Sequence, residues 1–395
     1  MKKKIQDMDV AGKKVLLRCD FNVPVKNGVI LDDSKIVAAL NTIEYLVRRK
    51  AIVIIMSHFG KVKTEEDKKE NSLAPIAAHL QKLINTKVIF CKQSRNLYLE
   101  AKIDSMKPGE IIVLENTRFE DVPDNLESGN DAQLSMYWSG LADIYCLDAF
   151  GSAHRKHAST YGVAKYLPSC IGFLVQREME ALDKYVLHAE HPFTIVMGGA
   201  KVEDKVELIE SLLPRCDNLL LTGGIANSCL NTLGFNVGES LCTKDPSIQE
   251  RLKKILIEYK DKIKLPMDVI VGSIHDEKYM NHINIDSVKE DEAIFDIGMK
   301  TVNQFTEIIN NSATIFVNGT AGKYEDIRYA TGTRELLTNI SNSKAVKVVG
   351  GGDGVSAVKH FKLAEKFNFL STGGGATLEY IIYEGLPAID NINEE

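Results

Sequence analysis

The strongest constraint on the fold is a series of short apolar runs that recur along the whole chain. They are rich in valine and isoleucine and do not alternate with polar residues, which is typical of strands buried on both faces of a parallel sheet. Runs in the first half lie within KVLLRCDF, AIVIIMSHFG, KVIFC, EIIVLENTRF and ADIYCLDAFG. Runs in the second half lie within FTIVMGGAK, NLLLTGGIAN, MDVIVG, ATIFVNGTAG, VKVVGGGDG and NFLSTGGGAT.

Longer segments with helical spacing separate these runs. One of them carries apolar side chains at Ile36, Ala39, Leu40, Ile43 and Leu46–Val47. Strand and helix in repeated alternation predict an α/β fold in which helices cover parallel sheets. We therefore predict two Rossmann-like domains joined by a helix and hinge. Residues 1–170 with 376–395 form the first domain, residues 171–187 the linking helix, and residues 188–375 the second domain.

Composition and charge exclude several classes of protein. The 395-residue chain has a formal net charge of −6, which argues against nucleic acid as the main partner. No apolar run is long enough for a membrane span, and the start MKKKIQDMDV lacks the apolar core of a signal peptide. Cysteines occur at 19, 91, 146, 170, 216, 229 and 242, with no CxxC pair. We expect a cytoplasmic protein without nucleic acid or membrane as a partner.

Charged and polar side chains follow the predicted strands of the first half. In chain order they are Arg18, Asp20, Asn22, His58, Glu115, Arg118, Asp148, His154, Arg155 and His157. Ligands of open parallel sheets bind beyond the carboxyl ends of the strands. Guanidinium and imidazole groups gathered there suit a small phosphorylated acid. Taken singly, His58 would be an ordinary loop histidine, and Arg118 and Arg155 would be surface ion pairs of little energetic value.

Glycines follow the predicted strands of the second half. They form the turns Gly198–Gly199, Gly223–Gly224, Gly319, Gly350–Gly352 and Gly373–Gly375. A glycine turn that leads into a helix offers free N–H groups and a partial positive charge, and no Cβ blocks an approaching phosphate. The chain has neither a Walker motif nor a clean GxGxxG fingerprint. The second half is therefore predicted to bind a nucleotide through another arrangement.

Three charged residues accompany the glycine turns. Lys201 and Lys205 are spaced one helical turn apart and are predicted to project from one helix face toward phosphate oxygens. Asp353 follows the triple glycine and is suited to Mg²⁺, which prefers a carboxylate together with substrate phosphates. Alternatively, the lysines pair with neighbouring acids on a solvated helix, and Asp353 only caps the following helix.

The motifs resemble those of the phosphoglycerate kinase family, in the order of that family and along essentially the whole chain. They are VLLRCDFNVP, MSHFGK, ENTRFE, AFGSAHRKHASTYG, MGGAKVEDKVELIESLL, LTGGIANSCL, VNGTAGKYED, VVGGGDG and STGGGATLEY. The resemblance implies a two-domain kinase that transfers a phosphoryl group between 1,3-bisphosphoglycerate and ADP, giving 3-phosphoglycerate and ATP. It also implies a monomer in which the first domain binds the glycerate, the second binds the nucleotide with Mg²⁺, and a hinge closes.

Site residues follow from the resemblance by motif position. Those expected to bind the acid substrate are Asp20, Phe21, Asn22, Lys35, His58, Phe59, Gly60, Lys61, Arg118 and Arg155. Those expected to bind the nucleotide are Gly199, Ala200, Lys201, Lys205, Gly223, Asn318, Glu325, Gly351, Gly352, Asp353 and Gly354, with Asp353 as the metal ligand. The groups expected to act on the transferred phosphoryl are Lys201, Lys35, Gly352 and Gly374.

The chain departs from the family pattern at several of these positions. Lys35 and Lys61 stand where the family has arginines, which keeps the charge but loses the planar bidentate fork. Thr320 lies in VNGTAG in place of a proline, Gly354 replaces a hydroxyl residue, and Met299 replaces a proline. Two further hypotheses therefore stay open beside the glycolytic one. One is a relative that either phosphorylates a different carboxylate or is catalytically weakened but still binds nucleotide. The other is a protein with a purely structural role.

Overall fold

The computed structural model describes residues 1–26 and 28–394, without the side chain of Asp204. The chain divides into two compact units. Unit 1 comprises Met1–Glu180 and Gly385–Glu395, and unit 2 comprises Ala181–Glu384. The predicted α/β fold, with two parallel sheets covered by helices, is confirmed. The sequence predicts residues 376–384 in the first domain, whereas they lie in unit 2. The boundary between the units, after Glu180, falls within the predicted linking helix 171–187.

Unit 1 contains a parallel sheet with β1 near its centre. The strands are β1 (Lys14–Cys19), β2 (Val25–Lys26), β3 (Val29–Ile30), β4 (Ile52–Met56), β5 (Val88–Phe90), β6 (Ile111–Val113), β7 (Ile144–Asp148) and β8 (Ser169–Ile171). Their order in the sheet is β5-β6-β4-β1-β7-β8, and β2 and β3 form a separate hairpin. Leu17 of β1 pairs with Ile55 of β4 on one side and Cys146 of β7 on the other. The three strands therefore end side by side.

Helices cover the sheet of unit 1. They are α1 (Ser34–Arg48), α2 (Glu65–Glu70), α3 (Ala74–Leu83), α4 (Leu97–Asp104), α5 (Ala132–Ser139), α6 (Phe173–Leu182) and, near the end of the chain, α14 (Pro387–Asp390). The apolar stripe predicted for α1 is buried at Ile36, Ala39, Ile43 and Leu46. The stretch predicted as the linking helix is α6, which runs into a π-helical turn at Asp183–Leu187.

Unit 2 repeats this architecture with a second parallel sheet. The strands are β9 (Phe193–Met197), β10 (Asn218–Leu221), β11 (Ile263–Lys264), β12 (Asp268–Gly272), β13 (Met280–Asn284), β14 (Ala293–Ile297), β15 (Thr314–Asn318), β16 (Val346–Gly350) and β17 (Phe369–Leu370). The parallel sheet has the order β11-β10-β9-β15-β16-β17. The helices are α7 (Glu203–Leu212), α8 (Gly223–Thr232), α9 (Pro246–Glu258), α10 (Met299–Asn310), α11 (Thr331–Asn342), α12 (Gly352–His360) and α13 (Gly375–Tyr383).

One predicted strand does not belong to either parallel sheet. The run MDVIVG forms β12, which pairs antiparallel with β13 and β14 in a separate three-stranded sheet. Val269 and Val271 of β12 pack in an apolar cluster with Leu230 of α8, so the strand is as buried as a parallel one. Apolar content reports burial and not the direction of the neighbouring strand, so the expectation of a parallel strand here was wrong.

No helix in the part of the chain that the structure describes is both long and apolar enough to cross a membrane.

Candidate active site

In unit 1, the ends of β1 and α1 hold an ion pair. Nζ of Lys35, on the first turn of α1, donates to Oδ2 of Asp20 at 2.9 Å, and the side chain of Asp20 is only 7% exposed. Burial by itself would raise the pKa of Asp20, but Lys35 and then His58 lower it below its usual value. The carboxylate is therefore ionised and keeps the ammonium group of Lys35 at the strand end.

Hydrogen bonds join the segment after β1 to the loop after β4. Oδ1 of Asn22 accepts from the N–H of Gly60 at 3.0 Å, and Oγ of Ser57 accepts from the N–H of Phe21 at 2.9 Å. The side chains of Phe21 and Phe59 lie in the hydrophobic core and anchor these two segments. These bonds bring the predicted acid-binding segments together.

Asn116 is a site-building residue that the sequence reasoning missed. It follows β6 and is fully buried. Its Nδ2 donates to the carbonyls of Phe59 and Asn71 at 2.7 and 2.8 Å, and its Oδ1 accepts from the N–H groups of Phe59 and Arg118. The one side chain therefore fixes both the loop that carries His58 and the start of the segment that carries Arg118. Its position in the ENTRF motif was the available signal.

Two acidic strand-end residues have structural roles instead. The buried carboxylate of Glu115 accepts from Oγ of Ser72 at 2.7 Å and from the N–H of Leu73 at 2.8 Å, ahead of α3. Asp148 is fully buried and accepts from the N–H of Leu174 at 2.9 Å, at the start of α6. Burial raises the pKa of Asp148 to about 7. A position at the end of a strand therefore does not by itself distinguish side chains that could bind a ligand from side chains that stabilise the fold.

Three arginines and two histidines at or after the strand ends of unit 1 form a cationic cluster: Arg18, Arg118, Arg155, His58 and His157. Nη1 of Arg118 donates to Oδ2 of Asp121 at 3.0 Å, while its buried Nε has no hydrogen-bond partner within the described residues. Nε of Arg155 lies 3.0 Å from Nε2 of His154, and Arg155 is exposed. Lys61 is also exposed, in the loop after Gly60. The cluster thus retains donors that its own fold does not use.

Electrostatics show that the members of this cluster act on one another. Burial lowers the pKa of His58 to about 3. Asp20 opposes this shift, and the positive charges of Arg18, Arg118 and Lys35 add to it. Burial followed by Arg118, Arg18 and Arg155 likewise lowers the pKa of His157 to about 3. Both imidazoles are therefore neutral near pH 7, and the positive charge that an anion would meet comes from the arginines and Lys35.

In unit 2, some of the glycines are required by the packing of the protein itself. A Cβ at Gly198 or Gly319 would overlap backbone atoms of the facing strand end, and a Cβ at Gly223 would lie 2.8 Å from the nitrogen of Gly199. Gly199 and Gly319 also have positive φ values of 98° and 80°, which side chains rarely adopt. These turns are glycine because neighbouring strands approach closely there.

Other glycines have no such reason. Gly352 and Gly375 begin α12 and α13, their φ values are not positive, and no described atom would lie within 4 Å of a Cβ at either position. Gly374 precedes α13 with equal space but a φ of 57°. The fold does not demand glycine at 352 or 375, so the backbone there has room for a ligand, and N–H groups at a helix start suit an anion. At Gly354, by contrast, a Cβ would lie 3.0 Å from the side chain of Val349.

The two lysines after β9 lie in different settings. Lys205 is on α7 and is 8% exposed; its Nζ donates to Oδ1 of Asn318, whose Nδ2 donates to the carbonyl of Gly350 at 2.9 Å. Lys201 is exposed and precedes α7, which begins at Glu203. The expectation that both lysines project from one helix face was therefore wrong, because the helix starts later than the charge spacing indicated.

A cavity of about 310 Å³ opens beside these turns in unit 2. Predicted residues in its wall are Gly199, Ala200, Gly223, Glu325 and Asp353. Residues that the sequence reasoning missed include Asn227, Leu241, Ile294 and Phe295, which carry neither charge nor a glycine signal. Leu241 is 65% exposed although it is apolar, so a flat apolar group in the cavity would cover it.

Asp353 and Glu325 are the acidic groups at this cavity. Burial raises the pKa of Tyr324, and the charges of Glu325 and Asp353 raise it further, so both carboxylates lie near the same phenol. Within the described residues, no group of three or more acidic, histidine or cysteine side chains could hold a metal ion by itself. The exposed Asp353 thus offers a single carboxylate, which suits Mg²⁺ only when phosphate oxygens supply further ligands.

Comparisons with known proteins agree with these features. A sequence model of the family described as phosphoglycerate kinase matches residues 5–384. A protein named phosphoglycerate kinase from Lactobacillus gasseri is 41% identical over 400 residues, which cover 99% of each chain. Another of that name, from Listeria welshimeri, is 41% identical over 396 residues and covers 100% of each chain.

Solved structures agree as well. The structure of phosphoglycerate kinase from Coxiella burnetii superposes with a TM-score of 0.87 at 36% identity, over 99% of this chain and 98% of that one. The enzyme from Pyrococcus horikoshii gives a TM-score of 0.83 at 31% identity, over 98% of both chains. The resemblance drawn from the motifs is confirmed, and the chain belongs to the phosphoglycerate kinase family.

Proposed function

We propose that this kinase transfers a phosphoryl group between 1,3-bisphosphoglycerate and ADP, giving 3-phosphoglycerate and ATP in glycolysis. The acceptor in the reverse direction is the carboxylate of 3-phosphoglycerate. The observation that carries the proposal is that the two units present different binding groups. Unit 1 gathers Arg118, Arg155, Lys35 and a neutral His58, and unit 2 joins a nucleoside-sized cavity to glycine-led helix starts.

In unit 1, the cationic cluster receives the acid substrate. His58, Arg118 and Arg155 hold the phosphate that is not transferred, and the unpaired Nε of Arg118 supports this role. Asp20 and Asn22 hold the hydroxyl end of the glycerate. Phe21, Phe59 and Gly60, whose backbone N–H groups bond within the protein, form the wall of the pocket, and the ammonium group of Lys61 completes it. Lys35, which Asp20 keeps at the strand end, neutralises charge on the transferred phosphoryl.

In unit 2, the cavity receives the nucleoside. Its apolar wall covers the base, Glu325 accepts from the ribose hydroxyls, and Gly199, Ala200 and Gly223 line the path to the phosphates. Lys205, Asn318 and the turn Gly351–Gly354 hold the phosphate chain. Asp353 would hold Mg²⁺ together with phosphate oxygens, and the ion would neutralise their charge.

Little acid–base chemistry is needed from the chain. The attacking group is a carboxylate or a phosphate oxygen that is already ionised, so rate enhancement comes from positioning and charge neutralisation. Lys201 contributes charge to the phosphoryl group in transit, and the backbone N–H groups at Gly352 and Gly374 contribute hydrogen bonds. Exclusion of water protects the acyl phosphate from hydrolysis.

A coupled assay with ATP, Mg²⁺ and 3-phosphoglycerate tests the proposal. We expect turnover with this acid, and calorimetry should show binding of ADP in the presence of Mg²⁺. Nucleotide binding without turnover would contradict the glycolytic role, and other carboxylates would then be screened. Failure to bind either nucleotide would contradict the kinase function altogether.

We further infer a monomer that works in the cytoplasm. The seven cysteines are free thiols, which supports a reducing compartment. Light scattering of the purified protein with and without ligands tests the oligomeric state, and a dimer would contradict it.

A further inference from the structure

Arg18 lies near the end of β1 and is completely buried, although arginine carries a permanent charge. Its nitrogens have separate partners. Nε donates to Oγ of Ser159 at 2.8 Å, Nη1 donates to the carbonyl of Cys19 at 2.5 Å, and Nη2 lies 3.3 Å from Nδ1 of His58. The proposed function gives Arg18 no role, so the contact with His58 needs an explanation.

The contact determines where His58 carries its proton. A guanidinium has five N–H donors and no acceptor, and it does not deprotonate in proteins. In the bond between Arg18 and His58, Nδ1 of the imidazole must therefore be the acceptor. A neutral imidazole whose Nδ1 accepts a hydrogen bond carries its single proton on Nε2. The neighbouring arginine thus selects one of two tautomers.

A buried carboxylate holds Arg18 in this position. Glu127 is fully buried; its Oε1 accepts from Oγ of Ser159 at 2.5 Å, and its Oε2 accepts from the N–H of Ser159 at 2.9 Å. Because the hydroxyl proton of Ser159 goes to Glu127, the lone pairs of Oγ are available to Nε of Arg18. The carboxylate also compensates the buried positive charge, which would otherwise be costly.

We propose that Arg18 is a positioning residue that fixes His58 as the Nε2–H tautomer, so that His58 offers one neutral N–H donor to an anionic oxygen of the acid substrate. The identity of that acid rests on the proposed function, whereas the tautomer does not. His58 is partly exposed, and its Nε2 has no hydrogen-bond partner in the described part of the chain. The proton on Nε2 is thus left for a ligand.

The charges around His58 keep the donor neutral. The ring is faced by Asp20 and Arg18 at the end of β1, by Lys35 on α1 and by Arg118 after β6. Burial and the three cations outweigh Asp20 and lower the pKa of His58 to about 3. The Nε2–H donor is therefore present from pH 5 to pH 8, and the protonation of His58 does not change across this range.

Nitrogen NMR of the whole chain labelled with ¹⁵N-histidine tests the tautomer without any substrate. We expect a pyridine-type signal for Nδ1 of His58 and a pyrrole-type signal for Nε2, both unchanged between pH 8 and pH 5. A spectrum of His58→Gln assigns the signals by their disappearance. A pyrrole-type Nδ1, or two averaged signals, would overturn the proposal.

Arg18→Met removes the donor while keeping much of the side-chain volume. We expect the His58 signals to move toward a mixture of tautomers and the KM for 3-phosphoglycerate to rise roughly tenfold, the size of one hydrogen bond to a charged group. The KM for ATP should not change. Arg18→Lys, which can still donate, should recover part of both effects.

Ser159→Ala is a milder variant that leaves Arg18 in place, and it serves if Arg18→Met does not fold. We expect a smaller change in the same direction. Ser139→Ala is the matched control, since Ser139 is also a buried serine of unit 1, with Oγ donating to the carbonyl of Met136 at 2.7 Å. An unchanged tautomer in Arg18→Met, or in Ser159→Ala if it alone folds, would contradict the positioning role. If the tautomer is as expected but 3-phosphoglycerate does not bind, the proposed substrate is wrong and the role of Arg18 stands.

Discussion

The two units share one architecture, a six-stranded parallel sheet covered by helices. They differ in the residues at the strand ends, which are charged side chains in unit 1 and glycines in unit 2. At the end of β1 in unit 1, charged side chains such as Arg18 and Asp20 are buried and paired. At the corresponding ends in unit 2, glycines such as Gly352 and Gly375 expose the backbone. A small acid with several charged oxygens needs separate cations, whereas a phosphate chain is bound well by N–H groups at helix starts.

The difference also teaches what each kind of site requires behind it. A buried cation must be supported by further groups, as Glu127 and Ser159 support Arg18, because an uncompensated charge would destabilise the fold. The glycine turns of unit 2 need no such support, but some of them pack closely against neighbouring strand ends, as at Gly198 and Gly319. We therefore expect the stability of unit 1 to be sensitive to changes in charge at its strand ends, and the stability of unit 2 to changes in volume.

The largest effect is expected for Lys201→Ala, which removes an exposed charge from unit 2 and tests whether charge there serves the reaction and not the stability of the unit. We expect kcat to fall about 10²–10³-fold with little change in nucleotide affinity, since the charge is needed when the phosphoryl group is in transit. Single-turnover kinetics and calorimetry measure the two quantities. Lys253→Ala, an exposed lysine on α9, is the control and should match the unmodified protein. Equal losses in rate and affinity would contradict the transition-state role.

Two glycine variants separate glycines that serve a ligand from glycines that serve packing. Gly352→Ala places a methyl group in open space, so we expect an unchanged free energy of unfolding. The kcat/KM for ATP should fall roughly tenfold to 100-fold. Gly319→Ala would clash with backbone at a φ of 80°, so we expect a loss of about 1–3 kcal/mol in the free energy of unfolding. Denaturant titration and steady-state kinetics measure both. If Gly352→Ala is the less stable variant, the distinction is wrong.

Acid should change the stability of the protein with opposite signs through one histidine of unit 1 and one aspartate of unit 2. His157 of unit 1 has a pKa lowered to about 3, so its contribution to stability is lost as pH falls below about 6.5. Asp296 of unit 2 accepts from Oγ of Thr333 at 3.0 Å, and burial raises its pKa to about 7, so its contribution improves as pH falls from 7 toward 4. In His157→Gln the loss of stability with acid should be smaller by on the order of 2 kcal/mol. In Asp296→Asn, the increase in the free energy of unfolding that Asp296 contributes as pH falls from 7 toward 4 should be absent.

Unfolding by urea between pH 4 and pH 7 measures both variants against the unmodified protein. Each variant serves as the control for the other, since a general effect of acid would move both in one direction. Identical pH slopes for the two variants would refute the assignment.

The smallest effect is expected for Lys35→Arg in unit 1. The guanidinium keeps the charge near Asp20 and adds a bidentate fork, so activity with 3-phosphoglycerate should hold or rise within about threefold. Steady-state kinetics at saturating ATP give the comparison. A sharp loss would mean that the pocket is shaped around lysine, and it would favour a different carboxylate as the substrate.

Much of the site was predictable because its residues carry distinctive chemistry in specific motifs. His58, Arg118, Asp353 and the glycine turns stand out by residue type at strand ends. Asn116, Leu241 and Glu127 did not, because an amide, a leucine or a glutamate has no special meaning until its neighbours are known. The start of α7 was also misjudged, since spacing of two lysines does not report where a helix begins.

By itself the sequence determined that strands and helices alternate, which segments are buried and which chemistry each half presents, because these depend on residues close together in the chain. Only the tertiary structure decided that β1 lies between β4 and β7, that β12 joins an antiparallel sheet, and that Asp148 fastens α6. It also decided which glycines have room for a ligand and which nitrogen of His58 keeps the proton. These outcomes depend on pairings between residues far apart in the chain, and such pairings leave no local pattern.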